Sequence, residues 1–166
     1  MLFRSIALDT IVKRIATLRP ADRRGVVHRL RRGVVLLDDS YNSSPSALRT
    51  TLEVVRTDRS AARKVAVLGE MLELGDHAVA LHQEIGRLAA ASAIDRLFVV
   101  GGPAAEALAE TAAAAMADGA VRYFRTSEEA AEPVASAIEP GDLVLVKGSR
   151  GTRTDRVADR IVAEWA

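Results

Sequence analysis

Cysteine is absent from the 166 residues, so neither a disulfide framework nor a thiolate metal site is open to this chain. No run of about 18 apolar residues occurs, which excludes a membrane-spanning helix. The opening stretch, MLFRSIALDTIVKRIATLRP, carries charges of both signs and has no small-residue cleavage site, so it does not read as a signal peptide. An excess of one charge is lacking too. The 23 basic and 22 acidic residues leave a net +1, which gives no general reason to expect nucleic acid or an anionic membrane as partner. Three catalytic signatures are also missing: a G-x-x-x-x-G-K-[ST] phosphate loop, a G-x-G-x-x-G after a strand, and a G-x-S-x-G elbow. What remains is a composition 49% apolar, in a chain long enough for one well-buried domain.

The patterning predicts alternating strands and helices. Apolar residues from Ile6 to Leu18 fall mostly on one helical face, and Pro20 limits that helix. GVVHRLRRGVVLLDD holds two β-rich runs around RRG, which predicts a hairpin or two neighbouring strands. Strands are then expected at 34–37, 64–68, 96–100, 121–124 and 142–146, each apolar throughout. Helices are expected at 46–56, 77–91 with Asp76 as N-cap, 104–116, over TSEEAAEPVASAI with Thr126 or Ser127 as cap, and at 154–165. Pro133 is a place for a kink, and the alanines at 112–115 suggest a helix lying close on the sheet. The pattern predicts an α/β fold: a Rossmann-like, doubly wound, mostly parallel sheet with helices on both faces, preceded by a short helix and a hairpin-like segment.

In such sheets ligands bind beyond the carboxyl ends of the strands. The segments there are DDSYNSSP, GEMLELGDH, GGPA, RTSEE and KGSRGTR. Asp38 suits capping of the following turn, and Asp39 suits hydrogen bonds from ribose hydroxyls. Lys147, Ser149 and Arg150 precede a helix, where cationic groups and backbone N–H favour an anion. Glu70 faces a cleft on this reading, while Met71, Leu72 and Leu74 anchor its loop. GGPA reads as a tight turn and His82 as a packed histidine. His28 and His77 have no second ligand at a helical or hairpin spacing, so no metal site is expected. The arginines 23, 24, 29, 31 and 32 form either a solvated face or a phosphate contact.

Together LLDDSYNSSPSAL, VAVLGEMLELGDHAVALHQEIG and LVLVKGSRGTRTDRV resemble the C-terminal domain of the Mur ligases, in order, over roughly Leu18 to Val157. The DSYN..P form points within that family to the branch that joins D-alanyl-D-alanine to UDP-N-acetylmuramoyl-tripeptide. It separates the chain from the folylpolyglutamate synthases, whose turn usually contains a histidine. The resemblance implies a cytoplasmic, ATP-dependent reaction through an acyl phosphate. It assigns the phosphate loop, Mg2+ and a carbamylated lysine to a central domain, and the UDP-sugar pocket to an N-terminal one. Residues 1–20 are then the end of the central domain and 21–166 the C-terminal domain, which closes over ATP.

The same resemblance assigns Arg24, Asp39, Tyr41 and Asn42 to ATP, and Lys147, Ser149, Arg150 and Ser43 to the acceptor dipeptide. No catalytic residue is assigned to this chain alone. The family form is usually glycine then arginine, and here Arg23 precedes Arg24. Two alternatives stay open: a non-catalytic nucleotide- or peptide-binding module, and a related amino-acid ligase with another acceptor.

Overall fold

The computed structural model describes residues 6–17 and 21–166. Helix α1 spans Leu8–Ile15, and the expected end of its apolar face at Leu18, with the limiting Pro20, lies outside the described residues. Strands follow at Val26–Arg29 (β1), Val35–Asp39 (β2), Lys64–Gly69 (β3), Arg96–Val100 (β4), Val121–Phe124 (β5) and Leu143–Lys147 (β6). Helices connect them at Pro45–Thr57 (α2), Ala78–Ala90 (α3), Pro103–Ala113 (α4) and Ser127–Ala135 (α5), with Asp155–Trp165 (α6) last.

The sheet order is β1-β2-β6-β3-β4-β5. β1 and β2 form the antiparallel hairpin, and every other pairing is parallel. Alternate residues of each strand feed two cores. Leu68, Leu97, Val99 and Leu145 pack with α2, α3 and α4 on one face; Leu36, Val67, Phe98 and Val144 pack with α5 and α6 on the other. Loops after β2 and β6 therefore diverge to opposite faces, which opens a crevice between their carboxyl ends.

Three local expectations are corrected. Asp38 and Asp39 belong to β2 rather than to the turn after it, because pairing with β6 continues through Asp39↔Lys147. Asp76 does not cap α3: it lies in a 3-10 turn, Gly75–His77, that runs directly into the helix. Of the alanines at 112–115 only Ala112 is buried; the close approach is between α4 and α3, where a Cβ on Gly86 would lie 2.6 Å from Leu108 O. Thr126 is the cap expected for α5, accepting from Glu129 N–H at 3.2 Å, and Pro133 falls in that helix's last turn.

Candidate functional site

Successive residues of a strand point to opposite faces, so the adjacent carboxylates at the end of β2 part company. Asp38 turns toward α6 and is buried. Its Oδ1 accepts from Ser40 N–H at 3.1 Å and from Ser40 O–H at 2.5 Å, the turn-holding role expected of it. Asp39 turns the other way, onto the face shared by Lys147 of the neighbouring strand. Lys147 Nζ donates to Asp39 Oδ2 at 2.6 Å and to the Asn42 carbonyl at 2.9 Å, and its side chain is only 3% exposed.

The turn between β2 and α2 is built from its own small polar residues. Asn42 Oδ1 accepts from Ser43 N–H at 2.9 Å, and Ser44 caps α2 by accepting from Ala47 N–H at 3.3 Å, with Pro45 in the helix's first turn. The Ser43 hydroxyl is buried and has no partner among the described residues. Tyr41 stands between two guanidinium groups: Arg24 lies 4.3 Å from its ring centroid and Arg150 lies 5.4 Å away, donating to the phenol oxygen at 3.4 Å. Arg24 over the ring, with Arg150 at the hydroxyl, holds the Tyr41 phenol below its ordinary pKa. Neither arginine has a carboxylate partner among the described residues.

Arg24 and Tyr41 are the shared wall of two openings. One, of about 710 Å³, runs past Arg150 and Arg153; the other, of about 340 Å³, is floored by Asp39, Asn42, Ser43 and Lys147. Arg23 is engaged elsewhere, with Nη2 donating to both carboxylate oxygens of Asp159 at 2.9 and 3.0 Å. Arg31 and Arg32 sit on the hairpin turn, at the opposite end of β2 from Asp39.

The set expected to act together is thus divided. Arg24, Asp39, Tyr41 and Asn42 converge, and Lys147 joins them instead of standing beside Arg150. Ser149 is buried, and its Oγ accepts from Leu72 N–H at 2.9 Å while its N–H donates to the Glu70 carbonyl at 3.2 Å, so it stitches two loops together. Arg150 alone of the expected acceptor group presents its charge to open space. Glu70 lines a separate cleft of about 390 Å³ beyond β4 and β5, with Arg125 and Arg153. Its Oε2 accepts from Gly102 N–H at 2.5 Å, capping α4. That contact explains GGPA: a Cβ on Gly101, where φ is +144°, would lie 2.6 Å from the Glu70 Cβ.

His82 is fully buried and packed, as expected. Its Nε2 accepts from Met71 N–H at 2.9 Å, while Nδ1 lies 2.7 Å from the Ala78 carbonyl, which fixes the Nδ1–H tautomer. Burial pushes its pKa down. This bond, the Arg23–Asp159 pair and the stacking on Tyr41 were missed by sequence reasoning, because each joins segments far apart in sequence or depends on side-chain packing. No group of three or more His, Asp or Glu side chains placed to hold a metal ion occurs among the described residues. No described helix is long and apolar enough to cross a membrane.

The UDP-N-acetylmuramoyl-tripeptide–D-alanyl-D-alanine ligase of Mycobacterium tuberculosis H37Rv is 35% identical over 149 residues, covering 80% of this chain and 29% of the relative. The ligase of that name from Bacillus subtilis is 27% identical over 157 residues, covering 95% and 34%. A crystal structure of MurF from Acinetobacter baumannii superimposes with a TM-score of 0.80 at 27% identity, covering 95% of this chain and 34% of that one. MurF from Thermotoga maritima, in complex with ADP, gives 0.71 at 30%, covering 90% and 32%. The chain therefore spans about a third of the length of these relatives. The family profile described as Mur ligase, glutamate ligase domain, matches residues 23–150, and the chain belongs to the Mur ligase family.

Proposed function

We propose that this chain is the C-terminal part of an ATP-dependent ligase that joins D-alanyl-D-alanine to UDP-N-acetylmuramoyl-tripeptide in the cytoplasm. One observation carries the proposal: at the carboxyl ends of β2 and β6, the Asp39–Lys147 pair lies beside two arginines that flank Tyr41 and lack carboxylate partners among the described residues. A hydroxyl-accepting carboxylate next to unneutralised guanidinium groups suits a nucleotide, with ribose at one end and phosphate at the other. Asp39 accepts from the ribose, with Lys147 holding its carboxylate in place. Arg24 takes a phosphate, and Tyr41 and Asn42 wall the nucleotide. Arg150 meets the acceptor carboxylate, and the unpartnered Ser43 hydroxyl supplies a further donor.

The reaction proceeds by transfer of the ATP γ-phosphoryl group to the terminal carboxylate of the tripeptide, giving an acyl phosphate and ADP. The dipeptide amine attacks the acyl carbon, loses a proton, and the tetrahedral intermediate expels inorganic phosphate. On this proposal the magnesium ion and the phosphate loop belong to a central domain, of which residues 1–20 are the end and against which 21–166 close. The uncovered apolar side of α1, with Leu8 73%, Val12 56% and Ile15 58% exposed, supports that division.

The test is ATP-dependent phosphate release with both substrates, using this chain alone and with separately folded N-terminal and central domains of a related ligase. Silence alone and turnover on addition are expected. Turnover by the chain alone would overturn the proposal. In an assembled ligase, Arg24→Ala and Asp39→Ala should each lower turnover at least tenfold, since losing a charge-assisted hydrogen bond costs about 1.5–3 kcal/mol. Near-normal rates in both would remove the site assignment.

A further inference from the structure

Arg23 sits at the entry to β1 with φ at +58°, a left-handed conformation that a side chain disfavours, and Gly25 follows at +69°. The chain at this point is held from two directions. The Arg23 carbonyl accepts from Tyr41 N–H at 3.0 Å, and Arg24 N–H donates to the Ala21 carbonyl at 3.1 Å. The Arg23 guanidinium reaches the opposite way, with Nη2 donating to both oxygens of Asp159 on α6 and Nη1 3.4 Å from the Asp155 carbonyl and 3.5 Å from Asp38 Oδ2.

Asp159 is 61% exposed, so this pair contributes little to stability. Its geometry is directional, however: Nη2 serves both Asp159 oxygens while Nη1 faces the Asp155 carbonyl and Asp38 Oδ2, and acceptors on two elements fix the guanidinium in orientation as well as in distance. We infer that Arg23 is a positioning residue: by fastening the entry to β1 onto α6 and the end of β2, it sets Arg24 over Tyr41 in the cleft. Consecutive side chains thus go to different partners here, Arg23 to α6 and Arg24 to Tyr41. The functional consequence rests on the reading of Arg24 as a phosphate contact, but the positioning itself does not.

The Tyr41 phenol reports on Arg24. There are two tyrosines, and Tyr41 is held low by Arg24 and Arg150 whereas burial pushes Tyr123 up, so ultraviolet titration of this chain separates them, with Tyr41→Phe fixing the assignment. Asp159→Ala is the decisive variant. Removing a negative charge lowers a nearby phenol through space, whereas releasing Arg24 raises it, so the two causes have opposite signs. An upward shift of Tyr41 in Asp159→Ala and in Arg23→Ala, smaller in Arg23→Lys and with Tyr123 unmoved, is the expected result.

A fixed or falling Tyr41 midpoint in Asp159→Ala overturns the inference, and because Asp159 is on an exposed helix face that variant folds even where Arg23→Ala does not. ADP titrated into the same variants should bind about threefold more weakly or worse. If Tyr41 shifts while Arg24→Ala leaves ADP affinity unchanged, the positioning stands and the phosphate reading fails.

Discussion

Replacing Asp39 by alanine strips the Lys147 ammonium of its carboxylate while leaving it where the sheet puts it. Lys147 is 3% exposed and its remaining acceptor is the Asn42 carbonyl at 2.9 Å. A cation buried this far and half-satisfied should cost about 3 kcal/mol, the lower end of what removing one partner of a buried pair entails. Lys147→Met is the milder change, because Asp39 is 21% exposed and can recover water; about 1–2 kcal/mol is expected. The double variant removes both charges together, so the two effects should fall short of adding by about 1.5–2 kcal/mol.

For a chain of 166 residues, 3 kcal/mol corresponds to roughly 6–12 °C in Tm. Denaturant unfolding of the four proteins in the cycle gives the coupling directly. Additive losses, or a Lys147→Met change more damaging than Asp39→Ala, would refute the argument that the ammonium is the buried partner.

Three further outcomes follow from the loops beyond this crevice. His82→Leu leaves Met71 N–H buried without its acceptor, and a loss of about 1–3 kcal/mol in denaturant unfolding is expected; a change under about 0.5 kcal/mol would show that the N–H finds another partner. The folded His82 pKa lies below the ordinary 6.5, so its contribution is fully present above that value and is lost as pH falls from there through the lowered folded pKa. Unfolding free energies of the native chain and His82→Gln should therefore converge toward acid, and parallel curves would count against it. Gly101→Ala drives a Cβ against Glu70 at a φ of +144° and should cost about 1–3 kcal/mol, whereas Gly119→Ala, which meets nothing within 4 Å at +70°, should cost less in the same thermal melts.

The order of strands and helices was legible because parallel strands buried on both faces are apolar throughout, and each was followed by a helix with one apolar side. Their ends were not. Polar residues at 38 and 39 read as a turn, yet the β2–β6 ladder is made by the backbone and runs through them whatever their side chains. Arg24, Asp39, Tyr41 and Asn42, grouped from the sequence, line one opening because they come from segments near in sequence. Lys147 was separated from them because its pairing with Asp39 depends on β6 inserting between β2 and β3, a spatial order that no local pattern encodes. Arg23 and Asp159, 136 residues apart, are hidden for the same reason.

The two adjacent aspartates also show why the strand had to extend to residue 39. In a turn, both carboxylates would face solvent and compete for the same cations. Within β2, alternation sends Asp38 to the α6 side, where it holds Ser40 and helps seat Arg23, and sends Asp39 to the α2 side, where parallel register places Lys147 beside it. Each then orders a different arginine or lysine. Asp38 acts on the segment that carries Arg24, and Asp39 on the amine that also grips the Asn42 carbonyl. The turn that follows them is thereby fixed from both faces, which holds Tyr41 between Arg24 and Arg150. Inserting one residue before Asp38 would exchange the two carboxylates between faces and should break the Asp39–Lys147 pair even where the sheet survives, which thermal melts would read as the loss given above for Asp39→Ala.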